Sequence, residues 1–485
     1  MKNKHIVQQQ ILDITLTDRQ AVSDIQDVVS DLYHKEVIQL LDEVFSEFCG
    51  VEEIIQIEEL TVDLGKINVK NFKQDFVQSI KTKLEDQLTE LVYHARNNNQ
   101  PKGVKLIRAE KEDPFIAYLK NGRFPWWVSA EDRNLNQLIE SFSEKRKNEN
   151  FSPKQILGFL RDSNFRKRLI DTLPVDHLSD ILSTIDASKT QLIFKFQKDI
   201  IVLFDHLPLS KGEKNYCSFY ALDRLIDFFF TQKVQSKEVQ SKFVIGFFKD
   251  LFSKRRFSNE NNLLQLEQIP FSLLKTIRKE DLESAINKIS KPQIAQTSDE
   301  EKFSDEAASR SPLNSDKGLD ESIEITHVGV ILFWPFLQIF FKEMGLIENQ
   351  KFKDEFSCWK AIHLLHYLVT GEQEAEEHEL LIHKILCNVA LSEFVPMSFE
   401  LTDLEKEECD HLVQTVIDQW SILKKSSIEG FRNSFLKRDG ILQMNGRDYM
   451  IQVERKSFDI ILEKLSWGIS NIKHPWNNYL IQVEW

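Results

Sequence analysis

Residues 292–322 restrict the fold of this chain more than any other segment. They are dense in Ser, Asp, Glu and Lys and contain few large apolar side chains. Such a stretch buries too little apolar surface to offset the entropy lost on ordering, so we expect a disordered linker there. The whole chain has 485 residues and is 41% hydrophobic, which is enough for folded domains on both sides of the linker.

The first 96 residues alternate between two hydrophobic periods. Apolar side chains recur at every second position over Ile11–Thr17, which predicts a strand, and then at helical spacing up to Gly50. Strand spacing returns over Ile54–Leu64, with a phase slip that indicates a bulge. A second amphipathic helix is predicted from about Phe72. We therefore predict a β-α-β-α module over residues 1–96 and leave open whether its strands are parallel.

Residues 104–291 follow a polar linker at 97–103 and have a helical pattern. Leu, Ile and Phe recur at helical spacing and are interrupted by Ser-Pro, Leu-Pro and Ile-Pro steps. Proline ends helices because it lacks a backbone N–H and clashes with the preceding turn. The pattern predicts stacked helical hairpins, and it contains no strict sequence repeat.

Residues 323–485 form a second dense region that we expect to be a C-terminal α+β domain. Helices are predicted at about 327–344, 352–370, 378–389 and 403–423. Asn445-Gly446 between two apolar runs predicts a β-hairpin, and Tyr479–Trp485 predicts a terminal strand. The predicted fold of the whole chain is α+β and predominantly helical.

Charge and composition exclude several classes of function. The net charge of −14 argues against broad nucleic-acid binding, which needs clustered Lys and Arg. We expect no signal peptide and no membrane insertion, since no apolar run reaches the roughly 18 residues of a spanning helix. The five cysteines are widely spaced and odd in number, which predicts free buried thiols in a protein made in the cytoplasm.

The sequence from His378 to His383 comes nearest to a catalytic motif. A zinc-protease helix needs H-E-x-x-H, with both imidazoles on one face, whereas these histidines are five residues apart. Other His and Cys residues lack the paired spacing of zinc ligands, namely His363, His366, Cys387, Cys409 and His411. Glycine-rich phosphate loops and nucleophile elbows are missing too. We therefore expect no enzyme activity, no metal and no cofactor.

Tryptophans are the best candidates for contacts with a partner, because this residue type is enriched at interface hot spots. Six of the eight lie in the last 160 or so residues. The candidate partner-contact residues are Trp126, Trp127, Trp334, Trp476 and Trp485. Local packing is the simpler alternative for the adjacent pair that follows Pro125.

Several segments in order along the chain resemble one protein family. They include Ile57–Gly65, Phe124–Trp127, Gly329–Leu337, His378–Cys387 and Trp467–Trp476. Together they resemble the contractile injection system tape measure proteins, over about residues 5–130 and 325–485. The resemblance implies a non-catalytic part of a phage-tail-like particle, assembled in the cytoplasm and released to the outside. The implied partners are tube, baseplate or cap proteins, or a second copy of the chain.

A molecular ruler should be extended, and this sequence does not have that character. One continuous helix of 485 residues would span roughly 730 Å, at about 1.5 Å per residue. Sustained heptads are missing, and Pro and Gly cut the helices short. Two other hypotheses therefore stay open: a chaperone-like adaptor that leaves after tube initiation or cargo loading, and a hydrolase that uses the scattered His and acidic residues.

Overall fold

The computed structural model describes two compact units. The described residues are 5, 7, 10–15, 28–48, 53–67, 71–96, 104–108, 113–125, 128, 133–148, 153–231, 243–248, 250, 274–290, 322–424 and 426–485. The first unit comprises Met1–Ile116 and Pro125–Leu135, and the second comprises Ala117–Phe124 and Asn136–Trp485. The linkers predicted at 97–103 and 292–322 lie outside the described residues, except for Ser322.

The first unit packs two helices around one apolar core. Its elements are α1 (Ile38–Phe48), β1 (Glu53–Ile57), α2 (Phe72–Arg96) and β2 (Val104–Arg108). Apolar side chains at helical spacing on both helices form the core, together with residues just before α1. The buried members are Val29, Leu32, Val37, Leu40, Val44, Phe76, Ile80, Leu84 and Leu88. The pairing of β1 with β2 is antiparallel, and β2 lies at the start of the region that the sequence predicts to be helical.

The structure corrects the prediction of a strand at Ile11–Thr17. Residues 11–15 belong to no strand, and Ile11 is 78% exposed. Alternating apolar residues make a strand only when a neighbouring backbone supplies the ladder of hydrogen bonds. The second predicted strand is also shorter than expected, because β1 ends at Ile57. Beyond it Leu60, Val62 and Leu64 still pack against the core, although they belong to no strand.

The described residues between 114 and 290 are mostly helical. The helices are α3 (Pro114–Asn121), α4 (Leu135–Asn148), α5 (Pro153–Phe159), α6 (Ser163–Thr172), α7 (Val175–Asp205), α8 (Lys211–Thr231) and α9 (Lys279–Ser290). The Leu173-Pro174 step ends α6 and begins α7, as the Pro pattern predicts. Within α7, Asp186 leaves helical geometry at φ −160° and ψ 103°. Its carboxylate accepts the amide of Lys189 at 3.0 Å, so it caps a second helical segment.

The C-terminal part of the second unit combines helices with a five-stranded sheet and a separate two-stranded one. Its elements are β3 (Ile323–Ile325), α10 (Leu337–Glu343), β4 (Ile347–Glu348), β5 (Lys351–Phe352), α11 (Glu355–Thr370), α12 (Leu381–Leu386), α13 (Asp403–Gln419), α14 (Ile428–Phe431), β6 (Gly440–Asn445), β7 (Asp448–Val453), β8 (Asn471–Ile472) and β9 (Ile481–Glu484). The α+β, predominantly helical fold class is confirmed.

The sheet has the strand order β3-β6-β7-β9-β8. The hairpin of β6 and β7 turns at Gly446, whose φ of 65° is the left-handed conformation that Asn-Gly sequences favour. The terminal strand β9 pairs parallel with β7 and antiparallel with β8. The helix predicted at 327–344 is split by Pro335 into a 3₁₀-helix, Val328–Phe333, and α10.

The close approach of two backbones makes Gly329 a sensitive position in this unit. The amide of Val328 donates to the carbonyl of Arg438 at 2.9 Å. A Cβ placed on Gly329 would overlap the carbonyl oxygen of Phe435 and lie 2.5 Å from the Cα of Leu436. Both obstacles are backbone atoms, which cannot move aside as a flexible side chain can.

We expect the Gly329→Ala variant to lose about 3 kcal/mol of unfolding free energy, because the added methyl forces the two backbones apart. Urea unfolding followed by tryptophan fluorescence measures the change. Gly468→Ala is the matched control, since a Cβ there meets nothing within 4 Å. Equal stability of the two variants would contradict the packing described here.

Candidate functional site

The described candidate tryptophans all make hydrogen bonds inside the chain. Trp476 is 6% exposed, and its indole N–H donates to the carbonyl of Leu386 at 2.8 Å. The indole of half-buried Trp334 also donates to a backbone carbonyl, at 2.8 Å. Trp126 and Trp127 lie outside the described residues. Partner contact stays a prediction for these four, and Trp476 has little surface to offer without local opening.

Trp485 is part of an aromatic cage around a buried arginine. The guanidinium of Arg438 lies 5.0 Å from the ring centroid of Phe458 and 5.9 Å from those of Phe435 and Trp485. It pairs with the carboxylate of Asp459 at 2.5 Å, and the Trp485 indole donates to the same carboxylate at 3.1 Å. Cation–π contacts are strongest when the cation is desolvated, as Arg438 is here. The cage therefore holds Phe458 and Trp485 in fixed positions.

An exposed apolar surface lies beside this cage. It consists of Ile422, Phe458 and Ile460, which are 52%, 40% and 69% exposed, and we name it the C-terminal patch. The short helices Ser421–Leu423 and Asp459–Lys464, which carry two of these residues, contact one another. The exposed charged residues next to it along the chain are Lys424, Arg455, Lys456, Lys464, Glu454 and Glu463.

The rim of the C-terminal patch differs in charge from the chain as a whole. Among the described residues next to the patch along the chain, four exposed cations and two exposed anions leave an excess of two positive charges, whereas the whole chain carries −14. An apolar centre with a charged, solvated rim is the usual composition of a protein-binding surface. The patch thus has the chemistry to bind a protein with an acidic, partly apolar surface.

A buried ionic centre joins distant parts of the second unit. The Arg168 guanidinium makes two bonds to the Glu377 carboxylate, at 2.8 and 3.0 Å, and Lys384 reaches the same carboxylate at 2.5 Å. Backbone carbonyls accept the remaining protons: those of Leu119, Lys120 and Ser392 from Arg168, and those of Leu391 and Glu393 from Lys384. The three charged side chains are 0–1% exposed, so the network is fully desolvated.

One face of α6 supplies three of the contacts in this region. Asn164, Arg168 and Asp171 follow at four- and three-residue spacing, which places them on one side of a helix. The amide of Phe394 donates to the Asn164 side chain at 3.2 Å, and that of Met397 donates to Asp171 at 2.8 Å. The opposite side of α6 carries a second buried pair, in which Arg166 binds Asp223 of α8 at 2.6 Å.

Burial near this centre changes the protonation of two further groups. Desolvation raises the pKa of Asp171 to about 7, helped by the charge of Glu377 and opposed by the Met397 amide. Desolvation also raises the pKa of Tyr118, with Glu377 as the next cause. The Tyr118 hydroxyl makes no hydrogen bond with a described residue. Both groups are therefore held in a low-dielectric region rather than poised for chemistry in solvent.

A surface cleft of about 390 Å³ opens beside the ionic centre. The Lys120 ammonium lies 5.1 Å from the Phe159 ring centroid at its wall. Two other polar side chains of the cleft already bind the backbone, since Asp162 caps α6 and Asn164 accepts a backbone amide. The cleft therefore lacks the convergent polar groups of a ligand site.

The two histidines of the H-E-x-x-x-H sequence differ in their surroundings. His383 is fully buried on α12, whereas His378 is half-buried and contacts the Phe124 ring at 4.8 Å. Among the described residues, no group of three or more His, Cys, Asp or Glu side chains has the geometry to hold a metal ion. With five-residue spacing, these two histidines thus pack against their neighbours and do not form a set of metal ligands.

The four cysteines that the structure describes are free thiols. Cys217, Cys387 and Cys409 are buried and Cys358 is half-buried, while Cys49 lies outside the described residues. Desolvation raises the pKa of Cys358, Cys387 and Cys409 above the usual value. A raised pKa keeps these thiols protonated and poorly nucleophilic.

Comparison with known protein families gives the class to which this chain belongs. The family described as contractile injection system tape measure protein matches residues 4–485, so this chain belongs to it. No curated protein and no solved structure matches the chain significantly. None of the helices in the described ranges is long and apolar enough to cross a membrane.

We expect Glu377→Gln to destabilise the second unit by about 3–5 kcal/mol, because it leaves two buried cations without their carboxylate. Urea unfolding monitored by fluorescence of the C-terminal tryptophans measures the loss. Glu400→Gln is the control: it breaks an ion pair with Lys211 whose side chains are 33% and 79% exposed. Such a surface pair contributes under about 1 kcal/mol. A Glu377→Gln variant as stable as the control would refute the ionic centre.

Proposed function

We propose that this chain is a non-catalytic assembly component of a contractile injection particle. Family membership supports a structural role in such a particle. The finer role that we propose is tube assembly or length control through binding of tube, baseplate or cap proteins. The chain is made in the cytoplasm and stays in the released extracellular particle.

The C-terminal patch is the observation that carries the proposal. It presents two isoleucines and a phenylalanine to solvent, whereas most of the large apolar side chains that the structure describes in the second unit are buried. The arginine cage fixes Phe458 in place, so little conformational entropy is lost when a partner covers it. The excess of positive charge on the rim favours an acidic partner surface. Of the three candidate tryptophans that the structure describes, Trp485 and Trp334 have more remaining surface than Trp476, and we propose that they extend this contact.

The lengths of the helices bear on how tube length is set. The longest described helix, α7, has 31 residues and spans roughly 46 Å. It is also interrupted at Asp186, so the described helices do not provide a continuous rod. We therefore propose that the chain acts at the start of tube assembly, with multiple copies or partial unfolding as the routes to length control.

The same observation favours a second candidate, a chaperone-like adaptor. Short, capped helices and a preformed binding patch suit a protein that binds tube or cargo subunits and then leaves. Mass spectrometry of purified particles separates the two candidates. A retained component is present at a fixed copy number per particle, whereas an adaptor is missing from particles and present in the cytoplasm.

We expect Ile422→Asp combined with Ile460→Asp to abolish assembly of full-length particles in a complemented deletion strain. Carboxylates replace the apolar centre of the patch, and both positions are exposed enough for the fold to persist. Electron microscopy counts the particles and measures their tubes. An unchanged melting temperature of the purified variant shows that the fold is retained.

Ile339→Asp is the matched control, because Ile339 is 63% exposed but lies on α10 rather than in the patch. Normal particles with the control and none with the double variant support the proposal. Normal particles with both variants, at wild-type number and length, rule out the patch as the assembly surface.

A further inference from the structure

Three histidines from separate elements lie in ring contact within the second unit. His327 follows β3, His366 lies on α11 and His383 lies on α12. The ring centroid of His327 is 5.3 Å from that of His366 and 6.1 Å from that of His383, and the last two are 5.9 Å apart. We name these three residues the histidine cluster.

The cluster has buried ring nitrogens without partners. Nδ1 of His327 and Nδ1 of His366 form no hydrogen bond with any described residue. The ring nitrogens of His383 make no well-formed hydrogen bond, although the backbone of Glu379 faces this ring. His366 Nε2 bonds with the backbone carbonyl of Glu374 at 3.2 Å. Neutral imidazoles can pack here as aromatic rings, but a second proton on a ring would find few groups to solvate it.

None of the titratable side chains that face the cluster offers a negative charge to a protonated ring. His363 approaches from α11, His378 from the 3₁₀-helix Glu377–Leu380, and Lys437 from the residue after the π-helix Arg432–Leu436. Glu379 presents its backbone, while its carboxylate accepts the amide of Glu376 at 2.9 Å. The surroundings are therefore basic, although the chain as a whole is acidic.

These surroundings hold all three histidines neutral. Burial, followed by the Lys437 and His378 charges and opposed by the Glu379 backbone, lowers the pKa of His327 to about 4. Burial and the neighbouring histidines lower the pKa of His366 to about 3. Burial and the same histidines place the pKa of His383 well below the usual value.

We propose that the histidine cluster is an acid-sensitive latch, at which proton uptake releases the segment from His327 to Phe333 from its packing against α11 and α12. This segment is where the edge strand β3 meets the helices. Its Val328 amide bonds to Arg438, and its Gly329 lies against the backbone after α14. Release would therefore uncouple the edge of the sheet from the helical layer. The inference does not depend on the proposed function.

The sign of the pH dependence follows from protons bound in each state. Histidine in an unfolded chain has a pKa of about 6.5, so the unfolded state binds more protons below that pH. The contribution of the cluster is complete above pH 6.5 and is lost as the pH falls toward 4. A pKa of about 4 for His327 alone lowers the folding equilibrium constant about 30-fold between pH 8 and pH 5.

Other groups titrate over the same range and must be separated from the cluster. His474, buried elsewhere, has its pKa lowered to about 4 by desolvation and acts in the same direction. Asp171 acts in the opposite direction, because its raised pKa favours the protonated folded state as the pH falls. These groups are the same in the wild type and in each variant, so their contributions cancel when the folding equilibrium constants of the two proteins are compared at each pH.

Urea unfolding of the full-length protein at pH 8, 7, 6 and 5 tests the latch. His327→Asn removes one titrating ring, and Asn tolerates the left-handed φ of 62° at this position. We expect its folding equilibrium constant to fall about 30-fold less than that of the wild type between pH 8 and pH 5. His383→Leu should also flatten the profile and be more stable than the wild type at pH 5.

His411→Asn is the control, since His411 is exposed on α13 and should leave the wild-type profile unchanged. Flattened profiles for His327→Asn, with or without a folded His383→Leu variant, support the latch. A His327→Asn variant with the full wild-type pH dependence, or a wild type with no loss of stability at pH 5, overturns it.

Discussion

The bidentate bond between Arg168 and Glu377 is the interaction on which the second unit depends. It joins residues 209 positions apart, and neither partner has access to water. A desolvated ion pair is favourable only when every remaining donor and acceptor is satisfied. Here the end of α3, the loop before Phe394 and Lys384 supply those groups. These segments must therefore order together, which makes the helical middle and the C-terminal elements cooperative.

Short sequence patterns, such as helix caps and turn residues, were sufficient to predict much of this architecture. Helix α11 lies between a capping Asp354 and a left-handed Gly371, close to the limits that hydrophobic spacing predicts. The hairpin at Asn445-Gly446 follows from the turn residues alone. The prediction of a strand over Ile11–Thr17 was wrong because it used local signals alone. A strand needs a partner, and the partner of a strand has no local signature in the sequence.

The candidate contact surface likewise has features that the local sequence predicts and features that only the tertiary structure reveals. Tryptophan is a good general marker of interfaces, but its N–H must also be satisfied when buried, and Trp476 meets that need inside the chain. The C-terminal patch consists of isoleucines and a phenylalanine that look like any core residue in sequence. Likewise, His327, His366 and His383 are far apart along the chain and have no motif spacing. Only the tertiary structure places them in one cluster.

The position of β9 has a consequence for how the protein is made. This strand lies between β7 and β8, so it supplies hydrogen bonds to both neighbours. Residues 481–484 leave the ribosome after every other strand of the sheet. Until they arrive, one edge of β7 is unpaired and able to recruit strands from other chains. A chain truncated before residue 481 keeps that edge of β7 unpaired, so such a truncation exposes a strand edge that favours aggregation.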